Sequence, residues 1–416
     1  MILFILQPYP SHYYPTFGLA HELMKNGEKV IFTTTPNLNK IIQNEGFENY
    51  EFQYLSEYIV RNSKVFFGLF LKNLTSKDYL LQRKNEFENA FNNVKELISK
   101  YKPSHVYIDQ SLAEYFFYFK PYVPNITIVH TKIYSRKTNG IPPMNSIYVP
   151  KGNLFSQLKI DGLWLNHLLK QRLRELVLKI AFLGKDEIYF WKKHCKKNGM
   201  NWKKEIDLKH SLNRGVKNVE NLVFAPKKLE FFAFKKPKNV QFYDKISIKN
   251  ESSDLSKSYK ELKRKYFIEK KFNIVYMAFG TLAQGPKVVD FFNNTISTIE
   301  KLPKTILIIS RGNYPMNLLN PKNVFIFNYL PQQDVLLYTD LFITHGGLGS
   351  VKEAFYHEVP MLVAPINKFI DQNGNAARIK ANGYGDRIDI DNYSMEELIS
   401  KITTLLSNKN KNSILK

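Results

Sequence analysis

Residues 329–375 read YLPQQDVLLYTDLFITHGGLGSVKEAFYHEVPMLVAPINKFIDQNGN. Inside this stretch the apolar run Leu341–Thr344 leads into His345-Gly346-Gly347, and a helical pattern starts at about Leu348. A short apolar run closed by glycines and followed by a 3.6-residue period reads as strand, turn and helix. Glycine lets the main chain approach a ligand, and the helix start offers unpaired N–H groups and a positive dipole end. That combination suits a diphosphate. Ser350 lies in the first helical turn as a hydroxyl donor, His345 can donate to a phosphate oxygen, and the Glu353 carboxylate can accept from ribose hydroxyls. A lone His-Gly-Gly is as readily a tight turn. Thr281, Gln332, Glu353 and Asp371-Gln372, all at strand ends or helix starts on one edge, favour the ligand reading.

The alternation continues outward. Phe272–Phe279 reads as a strand ending at Gly280-Thr281, Val289–Lys301 as a helix, and Thr305–Ser310, Val324–Phe327 and Met361–Ala364 as further strands. The N-terminal part repeats the rhythm: strands over Met1–Gln7, Lys29–Thr34, Tyr50–Leu55, Val106–Asp109 and Ile126–His130, with helices over Thr16–Asn26 and Leu38–Asn44. Strand–helix succession of this kind predicts an α/β protein with two doubly wound parallel sheets, whose ligands bind at the carboxyl ends of the strands. Helical insertions are expected near 60–100 and 154–200. The second is basic and amphipathic, and reads as a helix packed on the sheet, an acceptor lid or a membrane-surface helix. Residues 246–262 are polar and Ser-rich and read as a linker between an N-terminal domain, 1–245, and a C-terminal domain, 263–416.

At 416 residues the chain suffices for two cores. No run approaches the ~20 apolar residues of a membrane span. Met1–Leu6 lacks a basic lead and meets Pro8 and Pro10, so it reads as a buried strand rather than a leader. The single cysteine, Cys195, excludes an intramolecular disulfide and a cysteine metal cluster. A cytoplasmic protein is expected, with a peripheral membrane contact as the variant. The net charge of +23 invites nucleic acid as a partner, but no basic–aromatic motif accompanies it. Heavy use of Lys, Asn, Ile, Phe and Tyr points to codon bias, and no nucleic acid is expected.

His12 follows the first strand, before a helix entered through Pro15-Thr16. An imidazole there suits proton abstraction near neutral pH. Asp109 closes a later strand on the same edge, where a carboxylate could fix the imidazole's tautomer and stabilise its protonated form.

Taken together these residues resemble the family 1 glycosyltransferases, the UDP-glycosyltransferase superfamily that includes macrolide and plant natural-product enzymes. The resemblance rests on Tyr329, Pro331 and Gln332; on His345, Gly346, Gly347, Ser350 and Glu353; on Val359-Pro360, Asp371-Gln372 and Asn375; and on the His12 motif. It implies a GT-B fold, two Rossmann-like domains facing across a cleft, with acceptor bound by the first and donor by the second. It implies that Tyr329 stacks on the base, Gln332 contacts base or ribose, and Thr281, His345 and Ser350 bind the diphosphate, with Gly347 and Gly349 counted among the donor-binding residues. Glu353 would hold the ribose, and Asp371 and Gln372 the sugar hydroxyls. Tyr329 stands where many relatives carry Trp, and Gly349 where plant members often carry Asn.

The expected reaction is an inverting transfer from a UDP- or dTDP-sugar to a hydroxyl of a small apolar acceptor, with His12 as base and no metal or cofactor. Asp389-Ile390-Asp391 could hold a cation, but the alternation Arg387–Asp391 reads as a half-exposed strand. Phe66, Phe67, Phe70, Tyr79, Phe116, Phe117 and Tyr118 are the candidates for an apolar acceptor pocket. The alternatives are a non-catalytic nucleotide-sugar-binding relative and a lipid-acceptor transferase on the same fold.

Overall fold

The computed structural model describes residues 1–55, 63–138, 140–211, 214–232, 234–246, 256–267, 271–280, 283–312 and 315–412. By its contacts the chain forms two compact units. One comprises Met1–Pro143, Gly152–Phe224 and Ala233–Tyr243; the other comprises Met144–Lys151, Ala225–Phe232 and Asp244–Lys416.

The first unit is built on β1 (Ile2–Ile5), β2 (Val30–Thr34), β3 (Glu48–Glu51), β4 (His105–Asp109) and β5 (Asn125–His130). A small antiparallel pair, β6 (Ile206–Asp207) and β7 (Gly215–Val216), precedes β8 (Glu220–Val223) and β9 (Val240–Phe242). The main sheet runs β3-β2-β1-β4-β5-β8-β9, all parallel. Its central strands are continuous apolar runs because both faces are covered. Leu3 and Ile5 enter one core, while Ile2 and Phe4 enter the other.

The second unit contains β10 (Asn273–Ala278), β11 (Thr305–Ser310), β12 (Val324–Phe327), β13 (Leu341–Thr344), β14 (Met361–Val363) and β15 (Gly385–Arg387), in the parallel order β12-β11-β10-β13-β14-β15. Both sheets are doubly wound, as the sequence predicts, and two such units make up the GT-B fold. The strand order reverses between β1 and β4 in one sheet and between β10 and β13 in the other. Loops diverge at such a switch point and leave a crevice for ligand.

Some boundaries differ from expectation. The third strand is Glu48–Glu51 rather than Tyr50–Leu55. It is an edge strand, and Phe52 and Tyr54 pack inward beyond its end. The helical stretch from Leu154 is two helices, Leu154–Ala181 and Glu187–Lys197. Leu183 and Gly184, with φ of 51° and 77°, reverse the chain, and the Asp186 side chain caps the second helix. Within the stretch read as a linker, Lys257–Leu262 is a helix whose Tyr259 and Leu262 are buried in the second unit's core.

Candidate active site

Two clusters occupy the two switch points. In the first unit, the loop after β1 turns into a short helix, Pro10–Tyr13, with Pro10 at its first position. Tyr13 anchors that turn by donating to the Thr33 carbonyl at 2.7 Å. His12 is thereby held over the end of β4, 5% exposed. Its Nδ1 lies 2.6 Å from Asp109 Oδ2, although the two residues are 97 positions apart. The other carboxylate oxygen, Oδ1, accepts the Ser111 N–H at 2.8 Å, so Asp109 also caps the turn that follows β4. The Thr131 hydroxyl, just past β5, lies 2.8 Å from His12 Nδ1 and 3.5 Å from Asp109 Oδ2.

Burial alone would raise the Asp109 pKa. The His12 imidazole and the Ser111 N–H outweigh it and hold the carboxyl at about 2. An ionised Asp109 must accept, so the proton between it and His12 sits on Nδ1. Nε2 then carries the lone pair, which is the form a general base needs. The pairing expected of His12 and Asp109 is present in the structure. Thr131 and Ser111 were missed by sequence reasoning, although Thr131 follows an apolar run as Asp109 does.

A narrow pocket of about 10 Å³, roughly the room one water molecule takes, adjoins Asp109 and Thr131. Its walls are mostly polar and include Gln110, His130, Ser135 and His210. Burial pushes the pKa of His130 down to about 4 and that of His210 to about 3, so both rings are neutral at pH 7. The expected aromatic acceptor wall is corrected here. Phe116, Phe117 and Tyr118 are buried in the core beneath the sheet, because their short helix packs inward. Phe67 is solvent-exposed, and the Tyr79 side chain lies outside the described residues.

In the second unit, β13 ends in Thr344 and the chain turns through His345-Gly346-Gly347 into the helix Leu348–Tyr356. The glycines are sterically required. A Cβ at Gly347 would lie 2.7 Å from His345 Nε2, and one at Gly280, after β10, would lie 3.3 Å from His345 Cε1. Gly346 has φ of 86°, and a Cβ there would meet Val363 at 2.6 Å. Gly349 has open space around it. The His345 ring thus rests on a shelf of two glycines. Burial holds its pKa near 4, so the ring is neutral, and its buried Nδ1 has no hydrogen-bond partner among the described residues. An orphaned buried nitrogen beside a helix start is the expected signature of a site that a polar ligand completes.

Gln332 Nε2 donates to Ser350 Oγ at 3.1 Å and to Glu353 Oε2, while Gln333 donates to Glu353 Oε1 at 3.2 Å. Asn375 donates to the Gly346 carbonyl at 2.8 Å and to Asp371 at 3.1 Å. Gln372 is buried, and its Oε1 accepts the N–H groups of Ile366 and Asn367 at 2.9 and 2.8 Å. The structure therefore joins Gln332, Ser350 and Glu353 into one network, and Gly346, Asn375 and Asp371 into another. Tyr329 is 67% exposed in the turn after β12. Thr281 lies outside the described residues.

The alternation at Arg387–Asp391 is not a strand. β15 stops at Arg387, and beyond it Asp389 and Asp391 grip the Lys368 ammonium at 2.7 and 2.6 Å. Asp391 also pairs with Lys287 at 2.7 Å. The carboxylates that could have held a cation hold lysines.

With a glycine-shelved histidine turn in one doubly wound unit and a carboxylate-oriented imidazole in the other, the chain has the GT-B fold with a polar cluster at the switch point of each sheet. Residues 226–416, a little under half of the chain, match the family model of UDP-glucoronosyl and UDP-glucosyl transferase, in keeping with the resemblance read from the motifs that lie there. Over 117 residues the chain is 37% identical to UDP-glucuronosyltransferase 2B19 of Macaca fascicularis, covering 28% of this chain and 21% of that protein. Over 127 residues it is 35% identical to human UDP-glucuronosyltransferase 2B10, covering 30% and 23%. The matched stretch thus spans less than a quarter of either relative. Among solved structures, the glycotransferase of kitacinnamycin has a TM-score of 0.68 at 18% identity, covering 98% of this chain and 90% of that one. The calicheamicin glycosyltransferase CalG4 has a TM-score of 0.62 at 17% identity, with the same coverage.

Proposed function

We propose that the protein is an inverting glycosyltransferase that moves a sugar from a nucleotide diphosphate to a hydroxyl of a small acceptor. The observation that carries the reading is the His12–Asp109 pair, which leaves Nε2 as a base. In the proposed reaction the acceptor hydroxyl gives its proton to His12 Nε2 while its oxygen attacks the anomeric carbon from the face opposite the diphosphate. The transition state resembles an oxocarbenium ion, and a single displacement inverts configuration. Asp109 and Thr131 hold the imidazole and support the positive charge it gains.

Negative charge grows on the departing diphosphate. The N–H groups at the start of the helix Leu348–Tyr356, the Ser350 hydroxyl and a His345 N–H are fixed donors that can meet it, with Thr281 as a further one. In this reading these donors replace a divalent cation. Glu353, oriented by Gln332 and Gln333, takes the ribose, Asp371 and Gln372 take the sugar, and Tyr329 takes the base.

UDP is the proposed nucleotide, because the relatives that align in sequence with the donor unit are UDP-sugar enzymes by name. The fold neighbours include the spinosyn rhamnosyltransferase SpnG complexed with thymidine diphosphate, at 16% identity. The acceptor is proposed to be a small apolar molecule with a free hydroxyl, in keeping with the natural products named for those neighbours. The polar cavity beside the pair suits the hydroxyl end of such a molecule.

The test is a melting-temperature panel of UDP, dTDP, GDP and ADP, followed by release of nucleotide from the matching sugar donors with and without chelator. Stabilisation by UDP and chelator-resistant release support the reading. Equal indifference to all four nucleotides overturns it, and activity restored only by added manganese overturns the metal-free part.

A further inference from the structure

The helix Leu154–Ala181 has two apolar faces. Ile160 and Trp164 are buried against the first unit. On the opposite side Leu158, Leu165, Leu169, Leu173, Leu176 and Ile180 form a second stripe, each between 47% and 61% exposed. Their spacings of three, four and seven residues keep them on one line along the helix. The helix Ser63–Thr75 packs beside it: buried Asn73 donates to the Ala181 carbonyl at 2.9 Å. That neighbour continues the stripe with Phe67, Leu71 and Leu74, each more than half exposed. Twelve of the twenty-eight large apolar side chains that stand exposed among the described residues lie on these two helices. Such concentration marks an interaction surface rather than ordinary surface composition.

The charge around the stripe decides what covers it. The two helices carry seven Lys or Arg against two carboxylates, Asp161 and Glu175. Both carboxylates are already in ion pairs, with Lys137 and with Arg172 and Arg214. Lys159 and Lys170 fall along one margin of the stripe and Arg172 and Lys179 along the other. The apolar line is therefore bordered by cations on both sides, as in helices that lie in a membrane interface with their lysines reaching for headgroups. A second copy of the chain fits this surface poorly, since two proteins of charge +23 would meet through their basic margins. A small acceptor does not fit it either, since a helix of 28 residues is about 42 Å long.

We infer that this paired-helix face docks on an anionic lipid surface, the apolar line entering the headgroup boundary and the flanking cations contacting phosphate. No helix among the described residues is long and apolar enough to cross a membrane, so this contact lies in the plane of the interface. The contact is independent of the chemistry proposed above.

Co-sedimentation with vesicles tests it, using pure phosphatidylcholine and a mixture rich in phosphatidylglycerol, with light scattering to follow self-association. The wild-type chain should bind the anionic vesicles and neglect the neutral ones. The triple variant L165E/L169E/L173E should bind at least about tenfold more weakly, and K170E/K179E several-fold more weakly with a shallower salt dependence. All five positions are exposed, so an unchanged melting temperature confirms that the variants fold. Failure of the wild type to bind anionic vesicles, whether it stays monomeric or pairs through the stripe, overturns the inference. So does a triple variant that binds as the wild type does.

Discussion

Replacing Asp109 by asparagine exchanges one atom, and the structure says which one matters. Oδ1 accepts the Ser111 N–H at 2.8 Å, so the oxygen of the new amide must stay there, and its nitrogen takes the place of Oδ2. That nitrogen then points its hydrogens at His12 Nδ1, 2.6 Å away in the wild type. Nδ1 must become an acceptor, the proton moves to Nε2, and the base loses its lone pair. The flipped amide is no better, since two donors would face each other in a buried site at a cost of about 1–3 kcal/mol. Loss of the correct tautomer should lower turnover by about 10³–10⁴-fold.

Stability falls too. The carboxyl has a pKa of about 2 in the fold against 3.8 outside it, a difference worth about 2 kcal/mol. Because the folded value is the lower one, this contribution is fully present above pH 3.8 and disappears as pH falls through 2. At pH 7 Asp109→Asn therefore loses it, and melting should drop by about 4–8 °C for a unit of this size. Stopped-time assays of nucleotide release, calorimetry and a UDP titration measure the three quantities. A folded variant that turns over within a few-fold of wild type would refute the tautomer argument.

Thr131→Val removes the hydroxyl 2.8 Å from Nδ1 without changing volume, and should cost about tenfold in kcat with little change in nucleotide affinity. Gly347→Ala drives a methyl to 2.7 Å from the His345 ring and should weaken UDP binding at least about tenfold, whereas Gly349→Ala enters open space and should leave it unchanged; isothermal titration separates the two. His130, His210 and His345 are buried neutral, with pKa values held below the ordinary 6.5 by burial. Their contribution to stability is complete above pH 6.5 and lost as pH falls toward 4, so melting curves should drop steeply across that window, and less so in His130→Asn.

The fold was legible where the physics is local and repetitive. β1, β10 and β13 are apolar on both faces, and the glycines after β13 could only serve a turn or a close approach. Edge and break positions were not: β3 is half-exposed and carries no buried pattern, and the break at Leu183-Gly184 hides inside a continuous amphipathic run. For the site, His12 and Asp109 announced themselves by residue type at strand ends. Thr131 did not, because a threonine after a strand is ordinary until the topology sets β5 beside β4. The run Phe116–Tyr118 misled for the opposite reason: aromatic residues look the same in sequence whether they line a pocket or fill a core.

The most direct measurement is the turnover of His12→Ala set beside its affinity for UDP. His12 belongs to the first unit and the proposed diphosphate site to the second, so the UDP dissociation constant should stay within about twofold of wild type while transfer falls by about 10³-fold or more. A variant that transfers sugar at close to the wild-type rate, or one that stops binding UDP while remaining folded, would contradict the assignment of His12 as the base.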